Sequence, residues 1–167
     1  MSDSPAPTLL DRIAVTWGLI GAGFHLYLIF AGLLPNLITR PLHVLLALPW
    51  VFLFARASGP IERITGWIAL GLGAVGTLWV ALDRDALVDQ YGALEGPVQI
   101  GLSIALILVA LEMGRRAVKW ILPAVAVLAL LYGLYGSALP GEFGHPGLPV
   151  ESFLGTLVIS EGGLWGP

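Results

Sequence analysis

The stretch Ile64-Thr-Gly-Trp-Ile-Ala-Leu-Gly-Leu-Gly-Ala-Val-Gly-Thr-Leu-Trp-Val-Ala-Leu82 contains no charged side chain. About 20 apolar residues are enough for a helix to cross a bilayer, so this stretch predicts a transmembrane helix. The rest of the 167-residue chain has a similar composition, with 57% hydrophobic and 11% charged residues. Soluble domains carry about 25% charged residues. The sequence therefore predicts an integral membrane protein.

Four further apolar runs predict an all-α, polytopic bundle of about five membrane helices. They cover residues 13–34, 37–55, 97–111 with a continuation to about 116, and 118–135. The run at 37–55 is the least regular, because Arg40 and Pro49 interrupt it. It is long enough to cross if its helix starts near Asn36 and the Arg40 side chain extends to the membrane surface.

The runs divide the chain into three parts. Residues 1–12 are predicted to form a cytoplasmic tail, 13–136 the helical bundle, and 137–167 an extracytoplasmic turn and amphipathic segment. Inside the bundle, the acidic connection 83–95 predicts a short surface helix. In the last part, the apolar residues recur at helical spacing and predict a short amphipathic helix at 150–160, with one face formed by Val150, Phe153, Leu154, Leu157 and Val158.

The distribution of basic residues predicts the orientation. With a cytoplasmic N-terminus, six of the eight Lys and Arg residues lie on the cytoplasmic side, namely Arg12, Arg56, Arg63, Arg115, Arg116 and Lys119. Only Arg40 and Arg84 lie on the other side. An excess of Lys and Arg marks cytoplasmic loops, so we expect a multi-pass protein of the inner membrane with its N-terminus in the cytoplasm.

Composition and spacing argue against several classes of binding site. The chain has no cysteine, and its net charge of −3 disfavours a nucleic-acid partner. Gly71-Leu-Gly-Ala-Val-Gly76 matches the dinucleotide-binding pattern in letters, but no strand precedes it and it lies inside an apolar run. We interpret it as helix packing: Ala69, Gly73 and Thr77 form a stripe of small residues that another helix can approach closely.

The ionisable residues inside the runs have structural interpretations. His25 lies within the first run without a second histidine or acid at helical spacing, and we expect it to hydrogen-bond to a neighbouring helix rather than to do chemistry. His43 is expected near the membrane surface. Glu112 is predicted to pair with Arg115 or Arg116 at i,i+3 or i,i+4 spacing. The sequence thus predicts no catalytic, cofactor-binding or metal site.

Several motifs in order resemble one family. They are Arg40-Pro-Leu-His43, Leu111-Glu-Met-Gly-Arg-Arg-Ala117, Leu130-Leu-Tyr-Gly-Leu-Tyr-Gly136, Leu139-Pro-Gly-Glu-Phe-Gly-His-Pro-Gly-Leu148 and Glu161-Gly-Gly-Leu-Trp-Gly166. Together they are similar to the N-terminal part of TAXI-type TRAP permeases, in which a small and a large membrane subunit are fused. The fused permeases continue into the large subunit after the last motif, whereas this sequence ends at Pro167. Either this is a separately encoded small subunit, which we expect, or the sequence is part of a longer fused permease.

The resemblance implies a division of labour. The large TRAP membrane subunit would carry the substrate site and the sodium sites, and a periplasmic TAXI-type binding protein would deliver a small organic anion. The small subunit would be a non-enzymatic scaffold without a cofactor of its own. Residues expected to contact the large subunit are those of the small-residue stripe, the ion pair and the amphipathic segment, namely Ala69, Gly73, Thr77, Glu112, Arg115, Arg116, Phe153 and Leu157.

A stand-alone membrane protein is the alternative. An intramembrane enzyme needs convergent polar groups at membrane depth, and His25 is the one candidate found in the sequence. A homo-oligomeric channel needs a polar stripe along a helix, which the runs at 64–82 and 118–135 lack.

Overall fold

The computed structural model describes residues 7–32 and 34–166, and every regular element in these two ranges is helical. The α-helices are α1 (Leu9–Ala31), α2 (Asn36–Pro49), α3 (Pro60–Leu82), α4 (Arg84–Asp89), α5 (Gly96–Val118), α6 (Ile121–Tyr135) and α7 (Val150–Val158). A π-helical turn, Trp50–Phe54, extends α2, and two 3₁₀ turns, Gly136–Ala138 and Gly141–Phe143, follow α6. The predicted all-α class is confirmed.

Five of these helices are long and apolar enough to cross a membrane. They are α1, α2 with its π turn, α3, α5, and α6 with the first 3₁₀ turn. The two short helices lie where the sequence predicts them, α4 in the acidic connection and α7 in the amphipathic segment. In the part of the chain that the structure describes, five helices therefore have the length and composition of a multi-pass membrane protein, and a short helix follows them.

Several helix boundaries differ from the predicted runs, among them the start of α3 at Pro60 rather than Ile64. Two of the differences have a clear local reason. The helix α1 begins at Leu9, inside the predicted tail 1–12, because Thr8 and Asp11 form a reciprocal capping box. Residues 1–6 of that tail lie outside the described ranges. The fifth membrane helix begins at Ile121 rather than at Val118, because Lys119 has a positive φ of 66° and interrupts the helical path.

The membrane helices pack side by side in the order α1, α2, α3, α5 and α6. The helix α3 packs against both α2 and α5, and α6 packs against α5. The helix α1 contacts α2 and its π turn, and none of the residues of α1 is buried. The bundle thus has a well-packed centre and two thinly covered ends, one at α1 and one at α6.

The C-terminal segment closes one side of the bundle. The helix α7 packs on α5 and α6, and the turn after it delivers Trp165 into the core, where the side chain is 2% exposed. The core cluster around this turn contains Leu37, Val80, Leu87, Leu94, Leu106, Leu154, Val158, Ile159 and Trp165. A second, smaller cluster contains Leu48, Phe52, Ala69 and Val109. It lies nearer the end of the bundle that holds Arg56, Arg63, Arg115, Arg116 and Lys119, which we call the Lys/Arg-rich end.

Candidate functional site

The Lys/Arg-rich end of the bundle holds a cluster of two arginines and two glutamates. Arg115 donates from Nε and Nη2 to the carboxylate of Glu112 at 2.6 and 2.7 Å, and Arg116 donates from Nε to the same carboxylate at 2.7 Å. These contacts confirm the predicted i,i+3 and i,i+4 ion pairs. The Arg115 guanidinium also lies 3.5 Å from the carboxylate of Glu62 on α3.

Arg116 connects α5 to α3. Its Nη2 donates to the backbone carbonyl of Glu62 at 2.7 Å and to the Thr65 hydroxyl at 3.0 Å, and its guanidinium lies over the Phe52 ring. The formal charges of the cluster sum to zero, which suits a site at the membrane surface. Helical spacing within α5 does not indicate Glu62, although the predicted topology puts the start of α3 and the end of α5 at the same membrane face. The cluster joins α3 to α5, and its contact with another subunit stays a prediction.

The small-residue stripe on α3 is used inside the chain. Ala69 is 7% exposed and Thr77 is fully buried, with the Thr77 hydroxyl donating to the carbonyl of Gly73 at 2.7 Å. A Cβ added to Gly73 would lie 2.9 Å from the nearest methyl group of Leu48 and 3.1 Å from Val109. Close helix packing is confirmed as the role of the stripe. The stripe packs on α2 and α5 of this chain, and its predicted place at a subunit boundary stays a prediction.

The C-terminal amphipathic face also contacts this chain. In α7, Leu154 and Val158 are buried in the core, and the backbone at Gly155 lies directly against the carbonyl of Gly92. Phe153 and Leu157 are half-buried beside α5 and α6. The prediction of a short helix with one apolar face is confirmed, and that face packs largely on its own bundle. Whether Phe153 and Leu157 also touch a second subunit stays a prediction.

A histidine pair joins α1 to α2. His25 Nε2 and His43 Nδ1 are 2.7 Å apart, and the two rings are nearly perpendicular. The predicted hydrogen bond between His25 and a neighbouring helix is thereby confirmed. His43 lies about 10 Å along α2 from its start at Asn36, at 1.5 Å per residue. Its expected place near the membrane surface stays a prediction. The sequence did not indicate this pairing, because the two residues are 18 positions apart on different helices.

The hydrogen bonds define the protons that the pair can carry. His25 Nδ1 lies 2.7 Å from the carbonyl of Gly21, so this nitrogen carries a hydrogen. If His25 is neutral, its Nε2 accepts a hydrogen bond, and His43 Nδ1 must be the donor.

The histidine pair is exposed on the surface of the isolated chain. Both side chains are exposed, and they border a cleft of ≈ 460 Å³ between α1, α2 and the C-terminal turn. Arg40 lines the same cleft and donates to the backbone carbonyl of Trp165. At the start of α2, Asn36 donates to Glu161 at 3.2 Å. We call this surface the α1–α2 face, defined by His25, Arg40 and His43.

The described residues contain no group of three or more His, Cys, Asp or Glu side chains that could hold a metal ion. The histidine pair alone supplies two nitrogens, which are fewer than a structural metal site uses.

No protein-family model, curated protein or solved structure matches the chain. The α1–α2 face is the functional candidate, because it combines ionisable groups, exposure and membrane depth.

Proposed function

We propose that this chain is the small integral membrane subunit of a TRAP transporter, a tripartite ATP-independent periplasmic secondary transporter. In this role it braces a large membrane subunit in the inner membrane, with its own N-terminus in the cytoplasm. The large subunit uses a sodium gradient to take up a small organic anion, and a TAXI-type periplasmic protein delivers that anion. The chain itself has a structural rather than an enzymatic role.

The observation that carries this proposal is the exposed histidine pair on the α1–α2 face. His25 lies about 9 Å inside the end of α1 at Ala31, well within a helix that can cross the membrane. Ionisable side chains at such depth face a protein interior or a water-filled cavity, because hydrocarbon cannot hydrogen-bond to them. In the isolated chain His25 and His43 would face lipid. A second membrane protein covering this face removes the conflict.

The residues of the family-like motifs support a bracing role in a different way. Arg40 binds the C-terminal turn, His43 binds α1, and Arg116 binds α3. In the third motif, the Tyr132 carbonyl lies 3.0 Å from Nε2 of His145 in the fourth. These contacts join separate parts of one bundle. A rigid bundle is what a subunit needs if it holds a moving partner in place.

Affinity purification tests the proposal. The tagged chain, extracted from its native membranes in a mild detergent, should bring down a large TRAP membrane subunit, identified by mass spectrometry. The variant His25→Ala with His43→Ala should recover several-fold less of it, because the polar contacts of the α1–α2 face are lost. Leu19→Ala is the matched control, since Leu19 is 69% exposed on α1 and lies about 120° around the helix from His25.

Transport provides the second measurement. Vesicles holding this chain alone should show no uptake under a sodium gradient, and uptake should require the large subunit together with the binding protein. Uptake by the chain alone contradicts the proposal. Recovery of only further copies of this chain, still dependent on His25 and His43, would instead identify a homo-oligomer.

A further inference from the structure

A second depression lies at the other end of the helix row, between α5 and α6. It has a volume of ≈ 420 Å³ and an almost wholly apolar lining. Its sides include the small residues Ala110, Gly114, Ala126 and Ala129, which leave a furrow along the contact between the two helices. Phe153 and Leu157 of α7 close the end that lies away from the Lys/Arg-rich face. We call this depression the α5–α6 groove.

The α5–α6 groove has surroundings opposite in character to the α1–α2 face. The helix α6 carries no charged residue between Ile121 and Tyr135, and Pro123 is its one buried residue. Most of its large side chains are exposed, among them Val125 and Leu128 at 59% and 66%. A helix that is apolar on all sides and can cross the membrane is solvated by acyl chains. A groove between two such helices therefore opens onto hydrocarbon.

Basic and aromatic residues stand beside the Lys/Arg-rich end of the groove. Lys119 is exposed in the connection between α5 and α6, directly after the last residue of α5 and two residues before the first residue of α6. Arg115 lies over the ring of Trp120, and Trp120 is 68% exposed. Basic pockets between membrane helices attract anionic lipid headgroups, and tryptophan favours the headgroup level. This end thus has the charge that complements a phosphate group.

We propose that the α5–α6 groove is a binding site for an anionic phospholipid of the leaflet at the Lys/Arg-rich face. One acyl chain lies in the furrow along Gly114 and Ala126, and the headgroup phosphate lies beside Lys119. The site depends on the membrane helices of this chain alone and does not rest on the TRAP assignment. It gives the thinly covered α6 end of the bundle a specific covering.

Native mass spectrometry of the purified full chain tests this site, with dioleoyl phosphatidylglycerol and dioleoyl phosphatidylcholine as probes. The wild-type chain should bind the anionic lipid more tightly. Ala126→Phe fills the furrow and should weaken binding by about tenfold or more, as expected when several methylene groups lose their burial. Ala124→Phe is the matched control on the same helix, because Ala124 is exposed and lies outside the groove lining.

The headgroup contact has its own variant. Lys119→Gln should weaken phosphatidylglycerol binding by about fivefold and phosphatidylcholine binding by less, because the choline cation offsets the phosphate charge. Arg56→Gln, a change at an exposed arginine of the same end, should alter neither. Ala129→Leu, a smaller filling change, covers the case in which Ala126→Phe fails to fold by circular dichroism. Equal binding of phosphatidylglycerol to wild type, Ala129→Leu and Lys119→Gln would overturn the proposal. The proposal would also be overturned if Ala126→Phe left lipid binding unchanged and lost a co-purifying membrane protein. The groove would then be a protein contact.

Discussion

Gly76 on α3 is the position where the packing of the bundle can be tested most sharply. A Cβ added there would lie 2.5 Å from Cγ of Leu106 on α5, and Leu106 is itself only 3% exposed. Carbon atoms in contact are ordinarily about 3.5–4.0 Å apart, so one of the two helices must shift by about 1 Å. Forcing an extra methyl group into a packed core costs about 1–3 kcal/mol.

Gly71 supplies the matched control on the same helix, since a Cβ added there meets nothing within 4 Å. Gly71→Ala and Gly76→Ala share the gain in helix propensity, about 0.5–1 kcal/mol, so this gain cancels in their difference. Gly76→Ala should therefore be less stable than Gly71→Ala by about 1–3 kcal/mol in the free energy of unfolding. Unfolding by sodium dodecyl sulfate in mixed micelles, followed by circular dichroism, measures the difference. A difference below about 0.5 kcal/mol would refute the close approach of α3 to α5, because it lies under the overpacking range.

Three further predictions concern the two membrane faces and the C-terminal part. For the topology, single cysteines at Ala57, Asp89 and Ser137 should be labelled by an impermeant reagent in intact cells only at the last two, and labelling of the first alone would mean the reverse orientation. For the loop after α6, His145 lies 3.0 and 2.7 Å from the carbonyls of Tyr132 and Pro146, and these contacts raise its pKa above the ordinary 6.5. The contribution of protonated His145 to loop order is then complete below pH 6.5 and is lost as the pH rises through the raised pKa. An imidazole titration by NMR with a midpoint at or below 6.5 would contradict this. For the C-terminal helix, Phe153→Asp with Leu157→Asp should lower the unfolding free energy of the chain by about 1.5–3 kcal/mol in total, since full burial of one such side chain contributes about 1.5–3 kcal/mol and these two are half-buried. Unchanged stability with impaired subunit recovery would show that this face serves a partner instead.

The membrane helices could be predicted from the sequence because a bilayer imposes a length and an apolar composition on every crossing. Their ends could not be read from hydropathy in the same way. The start of α1 depends on the capping box of Thr8 and Asp11, and the start of α6 depends on the positive φ of Lys119. Both are local backbone features, and they hardly change a mean hydropathy taken over about 20 residues.

The candidate site was predictable in part. The pairing of Glu112 with Arg115 and Arg116 follows from helical spacing within one element, which the sequence specifies. The pairing of His25 with His43 depends on the rotation and the axial offset of α1 against α2, which no spacing within either helix specifies. The role of the small-residue stripe shows the same limit, since its spacing predicts a close helix contact but not whether the second helix belongs to the same chain.

The two ends of the helix row determine the direction from which a protein partner can approach. At the α6 end the exposed side chains are apolar, so hydrocarbon satisfies them without any partner. At the α1 end, His25 and His43 need polar surroundings, yet α1 itself has no buried residue. The hydrogen bonds that tie α1 to α2 in the described ranges are the histidine pair and the bond from Trp17 Nε1 to the carbonyl of Leu46, 2.8 Å long. Contacts on the outer side of α1 would add to the few that hold it within this chain. Under the proposed function, a membrane partner docked on the α1–α2 face would both shield the histidines and hold α1 in place.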